Sequence, residues 1–139
     1  MLAVLFAAGA PAQASAYGVS PIGSFQYSWE GVTIKVPTGC LLSHTVKGDG
    51  TRVDSENVGT DCVGPGYWWG GFCNYQFSFE RYDANGKYYT ATRFPVVNKC
   101  GYNLFQSLNQ GAILKPGRSC AVLRVNGVER ARQCHNILK

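Results

Sequence analysis

No lysine or arginine precedes Lys35 in this 139-residue chain. The apolar start Met1-Leu2-Ala3-Val4-Leu5-Phe6-Ala7-Ala8 thus lacks the basic flank of a full secretory leader. Ala14-Ser15-Ala16 nevertheless puts small residues where a signal peptidase reads. The expectation is a cleaved leader over 1–16 and one exported domain over 17–139, which is 139 − 16 = 123 residues. No later segment approaches the roughly 20 apolar residues of a membrane-spanning helix, so no transmembrane segment is expected.

Histidine is scarce as well, with two in the chain, and no cysteine pair has C-x-x-C spacing. That speaks against zinc, and no metal or other cofactor is expected. The sequence has no G-x-S-x-G stretch, no H-E-x-x-H, no P-loop and no dinucleotide fingerprint. It also lacks the aromatic signature of an RNA-reading sheet, so no specific nucleic-acid motif is assigned.

What is present favours strands and turns: seventeen glycines, and three Trp, eight Tyr and seven Phe. Six cysteines in an exported chain of this size read as three disulfides, leaving no thiol as a nucleophile. Cys73, Tyr75, Phe77 and Phe79 alternate with Asn74, Gln76, Ser78 and Glu80, the period of a half-buried strand. Asn85-Gly86 then predicts a two-residue type I′ turn. In that register residue numbers sum to 171: Phe77 faces Phe94, Tyr75 faces Val96 and Cys73 faces Asn98. A second hairpin is expected around Asn126-Gly127, with numbers summing to 253. Arg124 then faces Glu129, Val125 faces Val128, Val122 faces Ala131 and Cys120 faces Gln133, so a β-bulge or other pairing is needed to bring Cys120 to Cys134.

Phe25, Tyr27 and Trp29 predict a short strand with an aromatic face, and Val32 to Val36 a second one stopped by Pro37. Cys40, Leu42, His44 and Val46 share one face of a third, with a turn at Lys47-Gly48-Asp49-Gly50 and a return over Thr51 to Val58. Gly101 to Leu114 reads as a short helix or coil. Consecutive cysteines bracket each hairpin signal, which favours the pairs Cys40–Cys62, Cys73–Cys100 and Cys120–Cys134 among the fifteen possible connectivities. The fold expected is all-β: a small disulfide-stapled antiparallel sandwich or open barrel.

Tyr67-Trp68-Trp69, flanked by glycines, is the most distinctive stretch. Rings of this kind stack on sugars or anchor a protein interface. With Tyr88 beside the Asn85-Gly86 turn, they are the candidate ligand-binding residues. The alternative is that Trp68 or Trp69 plugs one end of a sandwich, since at most one of two adjacent residues easily points inward. Charge is uneven: residues 17–65 hold three Lys/Arg against five Asp/Glu, net −2, and residues 66–139 hold ten against three, net +7. The basic C-terminal half suits a weak attraction to polyanions. The 253 register, however, turns Arg130 and Arg132 to one face and Arg124 to the other, which disperses the charge.

His44 and His135 invite a general base and acid pair. A small, basic, disulfide-rich exported chain with two histidines is similar in profile to pancreatic-type ribonucleases. That family's active-site patterns are not found here, and six cysteines stand where eight are usual, so no residue is carried over. His44 reads otherwise as a hydrogen-bonded interior or edge residue, and His135 as packing for the C-terminus. The leader-like start with the ending Arg130-Ala131-Arg132-Gln133-Cys134-His135-Asn136-Ile137 resembles secreted proteins of high-GC Gram-positive bacteria, a likeness that implies no activity.

Three functions follow. The first is a secreted, non-enzymatic binding module for an extracellular partner, a glycan or a protein. The second is a secreted toxin or proteinase-inhibitor-like effector, and the third a small ribonuclease-type hydrolase.

Overall fold

The computed structural model describes residues 15–63 and 70–138. Most of the expected leader and the candidate ring residues Tyr67, Trp68 and Trp69 lie outside them. The described residues form twelve strands: β1 (Ala16–Ile22), β2 (Phe25–Trp29), β3 (Val32–Val36), β4 (Cys40–Asp49), β5 (Arg52–Cys62), β6 (Phe72–Asp83), β7 (Tyr88–Arg93), β8 (Val97–Gly101), β9 (Phe105–Leu108), β10 (Ala112–Ile113), β11 (Gly117–Val125) and β12 (Val128–Ile137). All pairings are antiparallel, and the all-β expectation holds.

One sheet runs β1-β4-β5, with β9 and β10 in tandem along the far side of β5. The other runs β12-β11-β6, with β7 and β8 in tandem along β6. They face each other as an open sandwich: Leu42 and Val58 from the first share one core with Phe77, Phe79, Ala121 and Leu123 from the second. The β2–β3 hairpin turns at Glu30-Gly31, both at positive φ, and brings Tyr27, Ile34 and Val36 into that core. The Tyr27 hydroxyl donates to the Gly71 carbonyl at 2.6 Å and accepts from the Cys73 amide at 2.8 Å, fastening this hairpin to β6. Val46, Val53, Leu114 and Ile137 form a second, smaller cluster.

The cysteines pair in the expected sequence order: Cys40–Cys62, Cys73–Cys100 and Cys120–Cys134. Each bridge joins directly opposed residues of neighbouring strands. The bridges therefore staple hairpins within a sheet, and the contact between sheets rests on packing and polar bonds.

Several local expectations need correction. The Asp83 amide donates to the Lys87 carbonyl, which closes a loop of three residues, Ala84 to Gly86, with Gly86 alone at positive φ, so this is not a type I′ turn. A bulge at Arg81/Tyr82 adds one residue, so numbers still sum to 171 from Arg81↔Thr90 to Ser78↔Arg93. Beyond that, Tyr75 faces Val97 rather than Val96, and Cys73 faces Cys100 rather than Asn98. Asn74, at φ 53, carries the local irregularity, held by its bonds to Asn126. The stretch expected as helix or coil forms β9 and β10, because the free edge of β5 supplies a hydrogen-bonding partner. In the last hairpin Arg124 faces Glu129 as read, but a bulge at Leu123/Arg124 sets Val122 against Arg132 and Cys120 against Cys134. Arg130 is the extra residue.

Candidate functional site

Strand alternation divides the first sheet cleanly. Leu42, His44, Val46, Glu56 and Val58 point inward and are buried, which turns Ser43, Thr45, Asn57 and Gly59 to the outer face. The register extends this face in two rows. Val19, Ser43, Gly59 and Phe105 form one row, and Tyr17, Thr45, Asn57 and Ser107 the other. Tyr17 and Phe105 are each 68% exposed, on strands at opposite sides of the sheet. Three strand spacings and two residues of rise separate them, about 16 Å.

The floor between the two rings is low, polar and uncharged. The Ser107 hydroxyl donates to Asn57 Oδ1 at 2.7 Å, and the Ser43 hydroxyl to the Gly59 carbonyl at 3.3 Å. Gly59 is buried and lets the chain pass closely over it: a Cβ there would come within 2.8 Å of the Leu104 carbonyl. Ring faces bind apolar surface, while hydroxyl and amide groups both give and accept hydrogen bonds. Rings flanking a hydroxylated floor match the alternating apolar faces and hydroxyl edges of a sugar chain. Sequence reading missed this face because β1 and β9 carry few strand signals and meet only through β4 and β5.

Tyr88, the described member of the expected ring cluster, lies on the other sheet, 48% exposed and edge-on to Tyr82 at 6.0 Å. Tyr82 and Arg118 lie in the same sheet row. Where the loop after β6 meets Arg118 and Asn136, an open cleft of about 400 Å3 forms.

The histidines do come together, His44 buried and His135 partly exposed at the edge of the second sheet. Arg81, Ser119 and His135 form one inward row across β6, β11 and β12. Opposite them stand His44 and Glu56 of the first sheet. Glu56 accepts from Ser119 at 2.6 Å, contacts His44 Nε2 at 2.7 Å and pairs with Arg81. Burial pushes the Glu56 carboxyl up, but the His44 hydrogen bond and the Arg81 charge outweigh it and hold the carboxyl below its ordinary range. The His44 and His135 rings stack at 4.8 Å, and His135 Nε2 lies 3.0 Å from the His44 carbonyl. Burial lowers the His135 pKa. His44 and Ser119 are 0% exposed, and Glu56 is 1% exposed. General acid–base work needs groups within hydrogen-bond reach of substrate; His135 is partly exposed on the edge strand β12, while its partner His44 is buried.

No cluster of metal-ligating side chains occurs among the described residues, and no helix there is long and apolar enough to cross a membrane. Comparison with family models, with curated proteins and with solved structures returned no match to this chain.

Proposed function

We propose that the protein is a non-enzymatic extracellular binding module that takes a neutral glycan across the outer face of the β1-β4-β5-β9 sheet. The observation that carries this reading is the pair of exposed rings, Tyr17 and Phe105, flanking the uncharged floor of Ser43, Thr45, Asn57 and Ser107. Three disulfides fit an oxidising compartment outside the cytoplasm. The ribonuclease reading loses support because His44 is buried and bonded to Glu56, which leaves only the partly exposed His135 of the pair near solvent, and no observation favours the toxin or inhibitor reading.

The test is co-sedimentation of the oxidised protein with insoluble polysaccharides in high salt. Retention should persist at high salt, because stacking and neutral hydrogen bonds are not screened. Tyr17→Ala and Phe105→Ala should each release the protein. Trp68→Ala and Trp69→Ala report separately on the ring loop as a second anchor. Unchanged retention in both the Tyr17 and Phe105 variants would exclude the sheet face.

A further inference from the structure

The bulge in the last hairpin has a consequence for charge. Without it, Arg132 would point inward, away from Arg124. With it, Arg132 pairs with Val122 and joins Arg124 on the outer face of the β12-β11-β6-β7 sheet. Arg118 lies on that face in the row of Tyr82, and Arg93 in the row of Ser78. Four arginines thus share one face of four strands.

Two carboxylates organise them. Glu80 sits beneath, its side chain 5% exposed, 2.8 Å from Arg124, 3.0 Å from Arg132 and 3.9 Å from Arg93. Glu129 lies 2.9 Å from Arg132 and 3.9 Å from Arg124. Four guanidinium groups against two carboxylates leave a net charge of +2 on the face. Arg124 and Arg132 are largely spent on these carboxylates. Arg93, with 52% of its side chain exposed, and the exposed Arg118 are not. Arg118 is held over the Tyr82 ring at 5.3 Å, so its guanidinium is positioned rather than free to swing. Two strand spacings and four residues of rise separate Arg93 from Arg118, on the order of 15 Å.

We infer that this face docks an anionic polysaccharide, with Arg93 and Arg118 as the two forks that take its acidic groups. Guanidinium forks match carboxylate and sulfate oxygens in pairs. Charge density selects the occupant. Duplex DNA carries one negative charge per about 1.7 Å and would lie against the two carboxylates as well as the arginines. A polysaccharide with widely spaced acidic groups meets well-separated cations and neutral sheet between them. Single-stranded nucleic acid stacks on successive rings, and this face offers it one described exposed ring, Tyr88: Tyr82 already carries Arg118 and Arg132, meets Tyr88 edge-on, and bonds Glu80 through its hydroxyl. The face is separate from the neutral glycan platform, since it lies on the other sheet.

The test uses the full oxidised chain and immobilised hyaluronan, which bears one carboxylate per disaccharide, with uncharged dextran as reference and a short DNA duplex as competitor. Hyaluronan should retain the protein at low salt, and dextran should not compete. The double variant Arg93→Gln/Arg118→Gln should weaken retention about tenfold, with its thermal midpoint unchanged. Lys35→Gln/Lys47→Gln removes equal charge elsewhere and should leave retention intact. Any of four results overturns the proposal: no retention of the native chain, no loss in the arginine variant, equal loss in both double variants, or tighter binding of the duplex than of hyaluronan.

Discussion

The imidazole of His44, from β4, stacks on that of His135, from β12, with 4.8 Å between ring centres and a sequence separation of 91. The contact ties the two sheets together where no disulfide does. Its charge balance is tight: Glu56 and Arg81 offset each other, with Ser119 bonding both. Burial disfavours a proton on His135 more than its bond to the His44 carbonyl and the Glu56 charge favour one.

Stability should therefore fall on mild acidification. The His135 pKa is lowered in the folded protein, so its neutral form is preferred there. Its contribution is complete above the unfolded histidine value, about 6.5, and is lost as pH falls through the lower folded value. Glu56 is also lowered. Its contribution is complete above about 4.5 and goes at still lower pH. Glu80, which burial raises but the hydrogen bonds from Arg124, Arg132 and Tyr82 bring down to about 2, adds to this later loss. Urea midpoints measured from pH 7.5 to 3 should drop in two stages. His135→Gln should flatten the first stage only; an unchanged first stage would assign it to another group.

Removing one partner of the buried pair should cost more than removing both. Glu56→Gln leaves Arg81 charged in the interior and should destabilise by about 3–5 kcal/mol. Adding Arg81→Met should recover a large part of that loss, read as a raised denaturant midpoint of the double variant over Glu56→Gln. Additive losses would mean that the two side chains act independently.

Each disulfide closes a loop, of 14 residues for Cys120–Cys134 and 27 for Cys73–Cys100. Replacing both cysteines of either bridge should cost roughly 3 kcal/mol, nearly equal because loop entropy grows slowly with length. Since the bridges lie within sheets, hydrogen exchange should quicken first in the hairpin that lost its staple. Uniform quickening across both sheets would argue against that local role.

Gly117, at φ 155, begins β11 hard against β6. A Cβ there would lie 2.0 Å from the Tyr82 carbonyl oxygen, which is backbone and cannot turn aside. Gly117→Ala should destabilise by about 2 kcal/mol or more. Gly127→Ala, at φ 76 in open space, meets only backbone strain and should cost less. Comparing their thermal midpoints checks the order.

The cysteine pairs, the Asn126-Gly127 hairpin, the Arg124–Glu129 pair and the inward face of Cys40, Leu42, His44 and Val46 were legible in the chain. These rest on contacts between sequence neighbours or on a period of two, and both are local properties. Bulges were not legible in position, because one added residue is decided by how the strand on the far side fits. The irregularity at Asn74 depends on Asn126, and the bulge at Arg130 accompanies its stacking on Phe25 at 4.2 Å.

Sequence alone thus determined an antiparallel β protein with three sequential staples and a basic second half. Tertiary structure decided which faces those residues share. It buried His44 and stacked the partly exposed His135 on it, set Tyr17 and Phe105 at the two sides of one sheet, and gathered Arg93, Arg118, Arg124 and Arg132 on the other. The physical reason is that a strand's side chains reverse face with every one-residue shift, and the shifts here are set by partners far away in the chain.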